Sequence, residues 1–327
     1  MEKSNTMGIE DIFDSWEYLK ANQLSEYLFK SRLLYSDDAV VLMRIDNYPV
    51  IFIKREINVT KHKIKKGALE IDFHRELKLE DESKVYTGIS ITFTNREPQS
   101  VKAFLGTIWL LLGNEDKFNE SLDLPETIEN FARIMDKANN DIRDIIGLWG
   151  ELFIISIQSD AYIKRFTNAW RNDSKNKFDF NFENCDLEVK TTLKSERIHH
   201  MSVAQLNPNG HRKLTYASLL LRKQENGTNL FDLIARIKPW LSQEKFQNTL
   251  SDFIGTTNII DSDSSLSTKF SESYALDNLK YVKASEIPRP IIREEDQGFV
   301  SGVEFSINLT QLILNPKNIE ANPSSTE

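Results

Sequence analysis

The sequence of 327 residues contains one cysteine, Cys185, and no apolar run that approaches the length of a membrane span. A single cysteine excludes an intramolecular disulfide and a zinc site built from cysteines. A transmembrane helix needs about 20 consecutive apolar residues. The polar, acidic N-terminus lacks the basic and then apolar layout of a signal peptide. We therefore expect a cytoplasmic protein without a membrane partner.

The chain also lacks an excess of basic residues, since its formal net charge is −8 and its pI is near 5.4. A protein that only coats nucleic acid would be basic, but a hydrolase needs only a local basic track. Such tracks lie at residues 61–66 and 190–213. A solvated loop is an equally good interpretation of the first track. Composition therefore leaves a nucleic-acid partner open.

Periodicity and turn signals divide the chain into three regions. Residues 1–97 form a mixed α/β region, suited to recognition or dimerisation, and residues 98–225 form the core. Residues 226–327 form a C-terminal α/β region that packs on the core and ends in a polar tail from about 315. The expected helices span residues 9–34, 101–112, 125–138, 141–159, 231–241 and 244–253. The expected strands span residues 40–45, 50–54, 68–73, 85–94, 217–222, 276–283 and 302–307.

The most informative segment spans residues 177–192 and alternates with a period of two on both sides of a turn, which predicts a β-hairpin. Glu188 and Lys190 must then share one face. If Phe182 pairs with Leu187 across a four-residue loop, Asp179 opposes Lys190 on that face. A slip of one residue would move Asp179 to the other face.

Two carboxylates and a lysine on one face fit metal-dependent hydrolysis of phosphodiesters. Mg²⁺ takes oxygen ligands and often uses one or two carboxylates. Asp179 and Glu188 would supply them, with the Val189 carbonyl as a third ligand and Mn²⁺ as a substitute ion. Lys190 would orient or deprotonate the attacking water. The competing interpretation of these three residues alone is a salt-bridged surface hairpin.

Flanking residues favour the catalytic interpretation. Glu151 lies in an otherwise apolar helical stretch beside Gly147 and Gly150, and a buried carboxylate needs a partner. Either it forms a structural ion pair, or it reaches the metal site from a helix packed on the sheet, which the glycines would allow.

Polar residues follow the hairpin: Lys194, Arg197, His199 and His200. They fit contacts to a phosphate backbone, although surface histidines would look the same. A zinc hydrolase is a poor alternative because no H-E-x-x-H motif occurs.

These segments resemble the bacterial PD-(D/E)XK motif protein family. The resemblance is carried by Gly147 to Leu152, Trp170, Phe178 to Phe180, Leu187 to Thr192, Arg197, His199, Met201, Ser202, Gln205 and Leu206. Phe178 stands where the superfamily name has proline.

The resemblance implies an α/β (α+β) restriction-endonuclease-like fold, with a central mixed β-sheet flanked by helices. It also implies metal ligation by Asp179 and Glu188, a catalytic Lys190, an upstream acidic Glu151, and Gln205 as a polar residue on the following helix. Family members occur beside DNA methyltransferases and ATPases in phage-defence gene clusters.

Three hypotheses follow. The first is a Mg²⁺-dependent DNA endonuclease of a restriction or anti-phage system, with methyltransferase and ATPase subunits as possible partners and a homodimer as one way to cut both strands. The second is a catalytically silent nucleic-acid-binding subunit. The third is a scaffold whose hairpin charges form only a surface cluster.

Overall fold

The computed structural model describes residues 9–21, 29–31, 40–54, 63–78, 85–112, 128, 145–171, 177–206, 212–242, 245–246, 248–249, 268–293 and 299–313. The chain divides into two compact units. Unit 1 comprises Met1–Arg143 and Gln243–Leu266, and unit 2 comprises Asp144–Ser242 and Ser267–Glu327. The three regions predicted from the sequence have other bounds, and that division stays a prediction.

Unit 1 contains a six-stranded antiparallel sheet in the order β1-β2-β3-β6-β5-β4. Its central strands are rich in β-branched and aromatic residues, which favour a pleated, buried surface. Helices α1 and α2 pack against each other. The described elements of this unit are α1 (Ile9–Ala21), β1 (Phe29–Ser31), β2 (Val40–Ile45), β3 (Tyr48–Ile53), β4 (Lys63–Lys66), β5 (Leu69–Lys78), β6 (Val85–Phe93) and α2 (Pro98–Leu112).

The strands predicted over residues 40–45 and 50–54 are confirmed as β2 and β3, which form a hairpin whose turn consists of Asp46 and Asn47 at φ 51° and 67°. Aspartate and asparagine tolerate this left-handed region better than most residues. The helix predicted over residues 9–34 is present from Ile9 to Ala21. The prediction is wrong at residues 29–31, which form strand β1 and pair with β2. Pairing with a neighbouring strand overrides local helical preference there.

Unit 2 is built on a four-stranded sheet in the order β12-β10-β8-β7, beside a two-stranded sheet of β9 and β13. Strand β10 is parallel to β8 and antiparallel to β12, so the larger sheet is mixed. The described elements are α3 (Ile145–Ser156), α4 (Asp160–Ala169), β7 (Phe180–Asn181), β8 (Cys185–Thr192), β9 (Ile198–Ser202), β10 (Lys213–Leu220), β11 (Lys223–Thr228), α5 (Leu230–Ile237), α6 (Glu272–Asp277), β12 (Lys280–Lys283), β13 (Glu304–Asn308) and α7 (Thr310–Ile313), with short 3₁₀ turns at Lys238–Trp240 and Ala284–Glu286.

Helix α3 is apolar on nearly all sides because it contacts both β8 and α5. A Cβ atom on Gly150 would lie 2.1 Å from Cγ2 of Thr191 on β8, so only glycine permits this approach. The predicted central mixed sheet flanked by helices is therefore confirmed, and it is consistent with a restriction-endonuclease-like fold.

Several boundaries differ from the predictions: strand β5 extends to Lys78, strand β10 begins at Lys213, and two predicted elements each divide into two. The helix predicted over residues 141–159 ends at Ser156, and a second helix begins at Asp160 after the extended Ser159. The strand predicted over residues 276–283 is a helix up to Asp277 and a strand only from Lys280. Ser271 caps that helix by accepting a hydrogen bond from the Tyr274 N–H. The predicted helices over residues 125–138 and 244–253 lie largely outside the described residues.

No helix among the described residues has the length and hydropathy needed to cross a membrane.

Candidate active site

The hairpin of β7 and β8 differs in register from the prediction. Phe180 pairs with Leu187, and the Phe182 N–H donates to the Cys185 carbonyl at 2.9 Å, so Glu183 and Asn184 form a two-residue loop. The predicted pair of Phe182 with Leu187 is therefore wrong by two residues. Because side chains alternate with a period of two, this shift leaves every side chain on its predicted face.

Arg212 explains why the loop is tight. Its guanidinium donates to both carboxylate oxygens of Asp186, at 3.0 and 2.8 Å. It also donates to the carbonyls of Phe182, Glu183 and Cys185. The hydrogen bonds to Asp186 raise the pKa of Arg212, so it stays charged. One side chain thus satisfies most of the acceptors that the turn exposes.

Asp179 lies just before β7 and is fixed through both its main chain and its side chain. Its carboxylate Oδ2 accepts a hydrogen bond from the Val189 N–H at 2.8 Å. Its carbonyl accepts one from the Arg171 N–H at 2.9 Å. The hairpin therefore brings the Asp179 carboxylate to the middle of β8, beside the peptide that follows Glu188.

Glu188 is buried on β8 and has two polar partners on the same carboxylate oxygen. Oε1 lies 2.9 Å from Lys190 Nζ and 3.0 Å from Gln205 Nε2, which donates to it. Burial and the negative charge of Asp179 raise the pKa of Glu188 to about 7, against the opposing effects of Lys190 and the Asp179 main-chain N–H. The two carboxylates are thus close enough to repel each other, and an added cation would relieve that repulsion.

Gln205 occupies a turn after β9, not the helix that the resemblance implied. Its N–H donates to the Ser202 carbonyl and side chain, and the Leu206 N–H donates to the Val203 carbonyl. The turn nevertheless directs its carboxamide to Glu188.

Glu151 on α3 is held by two donors. Trp170 Nε1 donates to Oε2 at 2.8 Å, and Arg171 Nη2 donates to Oε1 at 2.5 Å. The close approach of Gly150 to Val189 and Thr191 shows that α3 packs on the face of β8 opposite Glu188 and Lys190. These contacts match the ion-pair alternative. Because Arg171 also binds the Asp179 carbonyl, Glu151 supports Asp179 through Arg171, and its predicted role at a metal stays a prediction.

Arg197 and His199 are buried, in contrast to Lys194 and His200 on the same tract. Arg197 donates to the carbonyls of Ser218 and Asn278 at 2.7 and 2.6 Å. His199 Nε2 lies 2.7 Å from Ser218 Oγ. Burial and the charges of Lys190 and Arg197 lower the pKa of His199 to about 4.

These internal partners differ from the exposed setting that a phosphate contact requires. Contact of Arg197 and His199 with a phosphate backbone therefore stays a prediction, and the buried positions of the two side chains do not support it. Lys194 and His200 are exposed, and His200 Nε2 lies 3.0 Å from Glu304 Oε2. Their contact with nucleic acid also stays a prediction.

Sequence reasoning missed three residues of this environment: Arg171, Tyr216 and Ser218. Tyr216 and Ser218 are the β10 partners of Glu188 and Lys190 in the parallel register. Both are fully buried. Their signal was a pair of hydroxyl side chains two residues apart, on one face of a largely apolar strand. Arg171 had no such signal, since its partner Glu151 lies 20 residues away.

The described residues contain no group of three or more His, Cys, Asp or Glu side chains that could hold a metal ion. Two carboxylates and a main-chain carbonyl nevertheless suit Mg²⁺, which completes its octahedron with waters and substrate oxygens. The carboxylates of Asp179 and Glu188 repel each other, and the N–H of Val189, the residue after Glu188, donates to the Asp179 carboxylate. The donor set therefore fits a divalent cation.

One family model matches the chain over residues 13–310, and its description is "Putative PD-(D/E)XK family member, (DUF4420)". No curated protein and no solved structure matches the chain.

Proposed function

Because the chain belongs to the PD-(D/E)XK-type family DUF4420, we propose that it is a Mg²⁺-dependent endonuclease that hydrolyses DNA phosphodiester bonds. The observation that carries this proposal is the convergence of Asp179, Glu188 and Lys190 at the middle of β8, with Glu188 buried. Family membership by itself supports only nuclease-like chemistry with a divalent metal. Burial separates this cluster from a surface salt bridge, because a buried charge is costly without a function or a partner.

Asp179, Glu188 and the Val189 carbonyl would hold the cation. Such an ion would supply neutralisation of the charge on the scissile phosphate and acidification of a water molecule. Lys190, 2.9 Å from Glu188 Oε1, would place its ammonium beside the phosphate, where it stabilises the negative charge that develops in the transition state. Gln205 would orient the Glu188 carboxylate through its own hydrogen bond.

Nucleic acid is the substrate class that fits this chemistry, and the exposed Lys194 and His200 would contact its backbone near the site. The setting in a restriction or phage-defence system, the methyltransferase and ATPase partners, the homodimer and the cytoplasmic location belong to the same proposal. The defence setting and its partners stay predictions that the resemblance motivates, the homodimer one that cleavage of both strands motivates, and the cytoplasmic location one that composition motivates.

The test is cleavage of supercoiled plasmid by the purified chain in Mg²⁺, in Mn²⁺ and in EDTA. We expect nicked or linear DNA only with metal, and loss of cleavage in Asp179→Asn. Asp72→Asn in strand β5 is the matched control, because Asp72 also accepts hydrogen bonds and forms an ion pair but lies in unit 1. DNA binding without cleavage in every metal would favour the catalytically silent subunit. Equal cleavage by Asp179→Asn and wild type would rule out this site.

A further inference from the structure

Tyr216 is a buried tyrosine whose position in β10 sets it beside the candidate site. It pairs with Glu188 in the parallel register of β10 and β8. Its side chain belongs to an apolar cluster with Phe178, Met201 and Leu214. Its hydroxyl donates to the Gln205 carbonyl at 2.9 Å. The tyrosine therefore connects the interior of unit 2 to the turn that carries Gln205.

Gln205 is held by hydrogen bonds at both its main chain and its side chain. Its Oε1 accepts from the Ser202 N–H at 3.1 Å, and its N–H donates to Ser202 Oγ at 3.1 Å. The remaining carboxamide group, Nε2, donates to Glu188 Oε1 at 3.0 Å. With Oε1 bound to Ser202, the carboxamide can present only its donor side to Glu188.

We propose that Tyr216 is a positioning residue of the metal centre, whose hydroxyl fixes the Gln205 main chain so that the Gln205 carboxamide orients Glu188. This inference rests on the proposed function. Residues that support a metal ligand through a hydrogen bond usually affect metal affinity or activity by roughly 10–100-fold. Tyr216 acts through one further residue, so we expect an effect at the lower end of that range.

The hydroxyl of Tyr216 has no role in packing that a phenylalanine could not fill. Its ring lies among apolar side chains, where an added hydroxyl is costly unless it is hydrogen-bonded. Burial, aided by the charges of Glu188 and Asp179, raises the pKa of Tyr216, which keeps the hydroxyl protonated as a donor.

Tyr281 supplies a matched control on the adjacent strand β12. It pairs with Ala217, the residue after Tyr216. Its hydroxyl is buried and has no hydrogen-bond partner among the described residues. Tyr281→Phe therefore removes a buried hydroxyl from the same sheet without touching the Gln205 turn.

The first measurement follows the Gln205 side-chain amide in the full-length protein labelled with ¹⁵N-glutamine. Loss of one amide pair in Gln205→Ala assigns the signal. We expect a shifted, exchange-protected Gln205 amide in wild type and Tyr281→Phe, and in Tyr216→Phe a signal that moves towards that of free glutamine and exchanges faster. An unchanged Gln205 amide in Tyr216→Phe would overturn the inference, whatever the activity of the protein.

The second measurement is Mn²⁺ affinity by calorimetry, with plasmid cleavage kinetics beside it. Tyr216→Phe should bind Mn²⁺ about 10-fold more weakly. Its kcat should fall while KM for DNA stays unchanged, because Tyr216 is buried and cannot touch DNA. Tyr281→Phe should match wild type. In a Gln205→Ala background, Tyr216→Phe should add no further loss, because no carboxamide remains to be oriented.

The outcomes separate the two claims. Wild-type protein that binds no Mn²⁺ and cuts no DNA would overturn the proposed function, and with it the metal centre. Wild-type protein that binds Mn²⁺, together with a Tyr216→Phe variant of equal affinity, would overturn only the inference about Tyr216. A full additional loss in the Gln205→Ala background would also overturn it, because Tyr216 would then act by another route.

Discussion

Two hairpins of this chain carry the same kinds of charged side chains in different environments. In the hairpin of β4 and β5, Lys63 lies 3.3 Å from Asp72, and Lys65 lies 2.5 Å from Glu70. Both lysine side chains are 74% exposed. In the hairpin of β7 and β8, the Lys190 and Glu188 side chains are only 20% and 6% exposed.

The two units as a whole also differ in the burial of their charged side chains. Among the described residues, every buried Asp, Glu, Arg and His lies in unit 2: Glu151, Asp186, Glu188, Arg197 and His199. The buried polar residues of unit 1 are neutral. Exposed ion pairs contribute little to stability, whereas burial of charge is costly and concentrates at functional sites. Burial of the charges, not their number, marks the candidate site.

The largest expected contrast compares the same substitution in both hairpins. Lys190→Ala should lower the rate of metal-dependent DNA cleavage by roughly 1,000-fold, because it removes a cation that stabilises the transition state. Lys65→Ala should leave the rate unchanged, because Lys65 pairs with Glu70 in solvent. Single-turnover plasmid cleavage measures both. Similar losses in the two variants would mean that the contrast in burial has no catalytic meaning.

A stability comparison tests the cost of the buried network. Arg197→Met should lower the free energy of unfolding by about 3 kcal/mol, because the carbonyls of Ser218 and Asn278 lose their donor inside the protein. Lys63→Met in β4 should change it by less than about 0.5 kcal/mol. Urea denaturation followed by circular dichroism gives both values. A loss below about 1 kcal/mol for Arg197→Met would contradict the account of this network.

Acid should destabilise the chain through His199. The pKa of His199 is about 4 in the folded protein, against an ordinary value of 6.5. Between these two pH values the unfolded chain therefore binds more protons than the folded chain. Stability linked to His199 is complete above about pH 6.5 and is lost as the pH falls towards 4, by about 3 kcal/mol.

The measurement is unfolding free energy against pH for wild type, His199→Gln and His200→Gln. The difference between wild type and His199→Gln isolates this group from Glu188, whose raised pKa has the opposite sign. His200 is exposed, so His200→Gln should keep the wild-type slope. A wild-type slope in His199→Gln would show that another group is responsible.

Metal should stabilise one unit more than the other. Mg²⁺ at ten times its dissociation constant should add about 1.4 kcal/mol to the stability of the state that binds it. Hydrogen exchange should therefore slow in peptides that contain β8 and β10, and stay unchanged in peptides from β5 and β6. Equal slowing in both units, or none, would argue against a site on β8.

The smallest effect is expected at the surface pair of Lys65 and Glu70. A double-mutant cycle to alanine should give a coupling below about 0.5 kcal/mol, because both side chains are solvated. Thermal unfolding at low and high salt measures it. A coupling above about 1 kcal/mol would weaken the argument that burial separates the two hairpins.

Local pattern predicted the parts of the site that depend on strand alternation. Glu188 and Lys190 share a face because they are two residues apart, and Asp179 reaches the same neighbourhood because a shift of two residues preserves the face. Gly150 was readable as a point of close helix approach. The register itself was not readable, because the loop length depends on Arg212, which comes 26 residues after Asp186.

Contacts between elements that pack together in the folded chain determined the parts of the site that strand alternation could not predict. The pairing of Glu151 with Trp170 and Arg171 joins a helix to a distant turn. His199 shares a strand face with Met201, so alternation in β9 could have indicated its burial, but the strand itself depends on pairing with β13. Gln205 was placed on a helix by resemblance, whereas hydrogen bonds to Ser202 form a turn.

The most direct test of the central claim is a crystal structure of the protein soaked with Mn²⁺, with anomalous diffraction to locate the ion. We predict one anomalous peak coordinated by the carboxylates of Asp179 and Glu188 and by the Val189 carbonyl, and no peak in a Glu188→Gln crystal. A structure without a peak, in which Glu188 stays bonded only to Lys190 and Gln205 at saturating Mn²⁺, would contradict a metal-dependent centre on β8.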